Sequence, residues 1–298
     1  MPPTIRTAKK LMLGREIAHM MNAAGVSQAQ VATMLETSQS RIAMLLNGGG
    51  SIAPGDLMVL ASRLGFKDKG YLQALSELRR DNHKRGFWST GYNRAYAEDM
   101  RLLIDLERHV DQIRATHTEI VPGLLQCEGY IRAMHVDQLD VFEGLTLDER
   151  VQARVARQAI LTKPKPPLVH HVLSESCLRR RWAPADVMCE QIEHLIALSQ
   201  RPNIMIQLMP FDMPPGRRSA LGTRFTLLRA PTPGVAGPLE LGYLEGEGEI
   251  RYLDDKKTLV AYDTAWTRLT AAALSFADSR AFMTQVLDDF RQLSTTDG

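Results

Sequence analysis

Over the first eighty residues, apolar positions recur at three- and four-residue spacing in five short stretches, each closed by a break signal. Leu13, Ile17, Met20 and Met21 share one face of a helix expected over about 7–24, stopped by Gly25. Ser27-Gln28-Ala29-Gln30 then has the form of a capping box, with the Ser27 hydroxyl serving the Gln30 amide and the Gln30 side chain returning the bond. Val31, Ala32 and Leu35 follow as the inner face of that second helix. After a tight turn at Glu36-Thr37, a third helix is expected at 38–46, with Ser38 as its cap and Ile42 and Leu45 inward. Asn47-Gly48-Gly49-Gly50 ends it. A fourth helix begins near Pro54 and carries Leu57, Leu60, Ala61 and Leu64. A fifth, over 69–80, carries Tyr71, Leu72, Leu75 and Leu78.

Beyond residue 100 the pattern mixes two periods. Met100, Leu103, Leu106, Val110 and Ile113 predict an amphipathic helix over 98–117. Pro122-Gly123 breaks it, and helices are expected at 124–133 and 148–161, the latter ended by Pro164, Pro166 and Pro167. LVHHVLS at 168–174 and NIMIQLMP at 203–210 read as strands, with helical text between them. The stretches 222–230, 239–245 and 249–255 read as an antiparallel meander, its last two strands joined at Gly246-Glu247-Gly248. Two helices, 259–276 and 278–293, close the chain.

The second and third helices have the spacing of a helix-turn-helix. Gln28 stands at the start of the second, where amides and the helix dipole favour a phosphate. Ala32 is small enough for the helices to touch. Gln39, Ser40 and Arg41 occupy the first turn of the third helix, with Met44 one turn on; Gln pairs with adenine, Arg with guanine, and a methionine can meet a thymine methyl. Charge agrees. Residues 1–85 hold twelve Lys and Arg against six Asp and Glu, a net of +6, whereas the other 213 residues net −4. A basic first third on a mildly acidic body points to a polyanion partner, with Lys9, Lys10 and Arg15 as further phosphate contacts.

The text GVSQAQVATMLETSQSRIAMLLNGGGSIAPGDLMVLASRLG resembles the XRE family of helix-turn-helix repressors over about residues 10–80. The resemblance implies DNA binding, with helix 38–46 in the major groove. Two positions depart from the family: Glu36 stands where glycine is usual, which asks a non-glycine residue for a left-handed conformation, and Leu46 replaces a glutamate that usually pairs with an arginine of the first helix.

Residues 88–290 resemble the C-terminal domain attached to XRE repressors in actinobacteria, in the WhiJ-like regulators of Streptomyces. The resemblance rests on Pro122-Gly123-Leu124-Leu125-Gln126 with Tyr130, Arg154 with Arg157-Gln158, Glu175 with Leu178-Arg179-Arg180, Gln191 with Leu195, Asn203-Ile204 with Gln207, and Ala272-Ala273-Leu274-Ser275 with Ser279. It implies a regulatory or partner-binding half, often beside a gene for a very small protein, and toxin–antitoxin-like pairing has been suggested for some such regulators.

Composition narrows the alternatives. With 298 residues, 44% hydrophobic and 23% charged, the chain has the make-up of a folded protein of about two domains. It has no apolar run of membrane-spanning length and no signal-peptide core at its start. Cys127, Cys177 and Cys189 have neither disulfide nor zinc spacing, so a reducing, cytoplasmic home is expected. His170 and His171 are adjacent on a strand and point to opposite faces, so they cannot chelate one metal together. The basic and aromatic run containing Lys84, Arg85, Phe87 and Trp88 reads as a linker followed by the first anchors of the next core, though such a run can also grip nucleic acid. Arg154, Arg157 and Gln158 share one helix ridge and could meet an anion or a partner's acidic surface, or form ion pairs with a neighbouring helix.

The expectation is therefore a mainly α chain. It has a five-helix, lambda-repressor-like helix-turn-helix domain at 1–80, a linker at 81–100, and an α+β domain at 101–298 with a small, mostly antiparallel sheet. The expected function is sequence-specific transcriptional regulation by a homodimer on double-stranded DNA, with the C-terminal domain binding a partner protein or small effector. No enzyme activity, cofactor, metal or membrane is expected. The alternative is an antitoxin-like module that sequesters a small partner, encoded next to it, and regulates its own promoter.

Overall fold

A computed structural model describes residues 6–81, 92–136, 145–213, 224–246 and 249–296. The described residues form twelve α-helices and a six-stranded sheet, in two compact units that are discontinuous in sequence. Among the described residues, one unit gathers 6–81, 99–110 and 229–239; the other gathers 92–98, 111–136, 145–213, 224–228, 240–246 and 249–296.

The first unit contains α1 (Ala8–Ala23), α2 (Gln28–Met34), α3 (Gln39–Leu46), α4 (Pro54–Arg63), α5 (Lys69–Asp81) and α6 (Arg101–Glu107). The N-terminal five match the expected helices to within two residues. Their caps explain the boundaries. Thr7 accepts from the Lys10 amide, Ser27 and Gln30 complete the capping box, Ser38 accepts from the Arg41 amide, and Pro54 begins α4. The core is the stripe the period predicts, with Leu13, Ile17, Met20, Ile42, Leu57, Leu60 and Leu75 fully buried. Gly14 sits where α1 meets the end of α3: a Cβ there would lie 2.8 Å from the Leu45 carbonyl oxygen and overlap that of Leu46. Close backbone approach of this kind is open only to glycine. Glu36 has φ +50°, so the turn does force a non-glycine residue into the left-handed region.

In the second unit the strands are β1 (Gln112–His117), β2 (Leu168–Ser174), β3 (Ile204–Met209), β4 (Phe225–Ala230), β5 (Leu239–Gly246) and β6 (Glu249–Leu253), in the order β3-β2-β1-β4-β5-β6. β1 pairs with β2 and β2 with β3 in parallel, whereas β5 and β6 form the expected antiparallel pair. The sheet is thus mixed and larger than the small, mostly antiparallel one expected. The physical reason lies in β1. Leu103, Leu106, Val110 and Ile113 keep a helical spacing across a helix end that has no glycine or proline to mark it, so the strand reads as a continuation of the helix. In the structure α6 stops at Glu107, and Ile113 and Ala115 turn inward with a period of two.

α7 (Glu128–Val136), α8 (Leu147–Gln158), α9 (Ser176–Arg179), α10 (Ala185–Leu198), α11 (Lys256–Ala272) and α12 (Phe276–Thr296) complete this unit. One sheet face packs Val172, Met209, Phe225 and Leu227 against Trp266 and Leu269 of α11. Lys84, Arg85, Phe87, Trp88 and the turn residues Glu247 and Gly248 lie outside the described residues.

Candidate nucleic-acid interface

The helix-turn-helix is α2, the turn 35–38, and α3. The Ser27 hydroxyl accepts from the Gln30 amide at 3.3 Å, and the Gln30 side chain accepts from the Ser27 amide at 2.8 Å. The turn closes through the Thr37 amide on Ala32 O at 2.9 Å, and the Arg63 guanidinium donates to Met34 O, tying α4 to the end of α2. Ile42 and Leu45 anchor α3 in the core. Its opposite face is open: Gln39, Ser40 and Arg41 are exposed, and Met44 is 48% exposed. The side chains of Gln39 and Arg41 make no hydrogen bond or ion pair among the described residues. Ser38 and Ser40 share a hydroxyl contact of 2.9 Å. The result is a rigid short helix with amide, hydroxyl, guanidinium and thioether groups along one outward row. Gln28 is half-buried at the first position of α2.

α1 is occupied differently. Lys9 and Lys10 are half-buried, and burial lowers the Lys10 ammonium below its usual range. Lys9 lines an open cavity of about 200 Å³ with Met12, Glu77, His109 and Pro233. The Arg15 guanidinium donates to Ala236 O at 3.3 Å. Next to it, Glu16 is fully buried. Its carboxylate accepts from the Tyr71 hydroxyl at 2.9 Å, the Val235 amide at 3.0 Å, the Ala236 amide at 3.2 Å and the Thr232 hydroxyl at 3.3 Å. Two successive amides turned on one carboxylate make a small backbone nest. Gly234 is part of it, since a Cβ there would overlap the carboxylate. Burial and the Glu16 hydrogen bond both raise the Tyr71 phenol. A second carboxylate, Asp105 of α6, accepts from the Ala8 amide at 2.7 Å, answering an orphan donor at the start of α1.

Sequence reasoning missed Glu16. The signal was present: an acid sits between Leu13, Ile17 and Met20 on the stripe that must be buried. Nothing in the sequence says that its partners come from 232–236.

The ridge at Arg154, Arg157 and Gln158 is divided. Gln158 donates to Gly123 O and Gln126 O, both at 2.8 Å, and so pins the bend after Pro122. Arg154 lies against Gly123, where a Cβ would overlap its guanidinium, and stands 3.5 Å from His135 Nε2. Arg157 is buried. His170 and His171 do point to opposite faces: His170 meets Gln207 at 2.9 Å and the Trp266 ring, while His171 stacks near His117. Among the described residues no cluster of three His, Cys, Asp or Glu could hold a metal ion, and no helix is long and apolar enough to cross a membrane.

Comparison with known families gives two matches. Residues 12–70 match the family described as a helix-turn-helix domain, and residues 100–285 match the one described as a domain of unknown function, DUF5753. No curated protein and no solved structure matches the chain.

Proposed function

The chain belongs to the DUF5753 family, and because it also has an N-terminal helix-turn-helix, we propose that it is a sequence-specific DNA-binding transcriptional regulator. The observation that supports this most is the outward row of α3. Gln39, Ser40, Arg41 and Met44 are exposed on a capped helix whose other face is locked in the core. In this reading α3 lies in the major groove, Gln39 and Arg41 read base edges, and Gln28, Lys9, Lys10 and Arg15 hold phosphates. A homodimer places two copies of α3 one helical turn apart on a near-palindromic site. The protein works in the cytoplasm as an XRE-type repressor of the WhiJ-like kind, and its C-terminal region supplies the dimer contacts and the surface for an effector or small protein partner.

The loop 229–239 follows β4, and its amides hold Glu16 of α1.

Selection from a pool of random duplexes by the full chain tests the reading. Recovery of two related half-sites, with Arg41→Ala relaxing one base in each, is the expected result. An unenriched pool contradicts it.

A further inference from the structure

The six-stranded sheet ends at β6, and among the described residues no strand pairs with the outer side of β6. An edge strand presents main-chain donors and acceptors to any strand that can meet them. Register says which residues present them. β5 and β6 pair Gly246 with Glu249, Glu245 with Ile250, Leu244 with Arg251 and Tyr243 with Tyr252. In an antiparallel ladder, opposed residues alternate between exchanging two main-chain hydrogen bonds and exchanging none. The Glu245 carbonyl oxygen accepts from the Arg224 guanidinium at 3.2 Å, and Arg224 stands just ahead of β4. β4 flanks β5 on the side away from β6, so that carbonyl turns away from β6. Glu245 and Ile250 are therefore a pair without main-chain bonds, and the N–H and C=O of Ile250 point out of the open edge. On either side of it, Glu249 and Arg251 share one face of the strand. Both side chains are exposed, and their mutual contact is loose, with Arg251 Nε 3.7 Å from Glu249 Oε1.

We propose that β6 is the surface through which two copies of this chain pair, edge to edge and antiparallel, about a twofold axis at Ile250. In that register each Ile250 donates its N–H to the Ile250 carbonyl of the other copy and accepts the same bond in return. Glu249 of each copy then lies opposite Arg251 of the other. These are pairs of the closely spaced kind, where side chains meet, so two ion pairs flank the axis. Other twofold registers fail. An axis at Arg251 sets arginine against arginine, and the main-chain groups of Arg251 face β5. An axis at Tyr252 sets Glu249 opposite Asp255, carboxylate against carboxylate, and Asp255 already caps α11 by accepting from the Thr258 amide at 2.8 Å. Edge strands that avoid company carry charges that repel a second copy. Opposite charges two residues apart do the reverse, and they do so in the one register that also joins the main chains. This self-complementarity singles out a second copy as the occupant, and it is the property a twofold interface requires.

The edge pairing rests on the homodimer of the proposed function and gives it a surface. Its test reads mass and uses no DNA: sedimentation equilibrium of the full chain, with the parent expected to be a dimer. Ile250→Pro removes the N–H given across the axis and no bond within its own sheet, so the variant should stay folded and run as a monomer. Glu249→Arg and Arg251→Glu each set like charges opposite one another, and each should weaken the dimer on the order of tenfold. Mixed in equal amounts, these two variants should recover the dimer, because each supplies the charge the other lacks. A merely structural role for either side chain would give no such recovery. A parent that is monomeric at about 50 μM overturns the homodimer and the edge pairing together. A dimer that survives all three substitutions, or a mixture no more dimeric than its components, overturns the edge pairing alone.

Discussion

Replacing Glu16 by alanine tests whether loop 229–239 is held on α1 by the carboxylate. Glu16 is fully buried and accepts from Tyr71, Thr232, Val235 and Ala236. A hydrogen bond to a carboxylate contributes about 1.5–3 kcal/mol, and four on one group are not additive. The loop is only half-buried, so its released amides regain water, and the net local loss is about 2–4 kcal/mol. At about 1.4 kcal/mol per factor of ten, the Val235 and Ala236 amides should exchange with solvent about 30- to 1,000-fold faster in Glu16→Ala. Hydrogen exchange followed by mass spectrometry on peptides spanning 229–239 reads this directly. Peptides from α12 should not change, which separates loop release from general unfolding. Gly234→Ala should reproduce the effect from the loop side, because its Cβ would overlap the same carboxylate. Acceleration below about threefold in both variants would refute the clasp.

Three further outcomes are expected. Glu36→Gly should stabilise the first unit by about 0.5–1 kcal/mol in urea unfolding, since φ +50° suits glycine better; a loss of stability would contradict the strain argument. Gly14→Ala should destabilise the same unit by about 2 kcal/mol, because backbone oxygens of α3 have no room to yield, and a melting curve unchanged from the parent would show that the helices can separate there. The second unit should lose stability as pH falls. Its His171 is held near 3 and His117 is also lowered, so the unfolded chain binds protons that the folded one does not. For His171 this contribution is whole above about pH 6.5 and declines toward pH 3 by about 1.4 kcal/mol per pH unit, and His117 adds in the same direction. Urea unfolding between pH 6.5 and 4.5 should therefore show a shallower slope in His171→Leu than in the parent. Identical slopes would remove His171 from the account.

The helix-turn-helix was legible because every local signal there agrees with the fold: caps at Ser27 and Ser38, breaks at Gly25 and Asn47, and apolar spacing that continues within each helix. The strained Glu36 was legible only through the resemblance, because it stands where the XRE family usually has glycine. Strands β2, β3, β4, β5 and β6 were legible from their branched and alternating text. β1 was not, because Ile113 fits both periods. Its loss hid the parallel half of the sheet, whose pairings join residues some 56 and 35 positions apart, such as Gln112 with Leu168 and Val169 with Ile204. For the same reason the sites split. Gln39 and Arg41 follow from one helix, whereas the Glu16 clasp needs residues 16, 71 and 232–236, and the His117–His171 contact needs a pairing that only the fold supplies. Gln158 shows the converse: its helix ridge was visible, but its amide is used on the chain's own backbone.

The central claim is that α3 reads sequence. Fluorescence anisotropy of the full chain on the duplex upstream of its own gene, against a shuffled duplex, at two salt concentrations, tests it most directly. The account expects a preference for the native duplex that survives the higher salt. Gln39→Ala and Arg41→Ala should each reduce that preference by about 1–3 kcal/mol, while Lys10→Ala weakens both duplexes alike. Equal binding to both duplexes that disappears together with rising salt would leave only phosphate attraction, and would contradict sequence reading by α3.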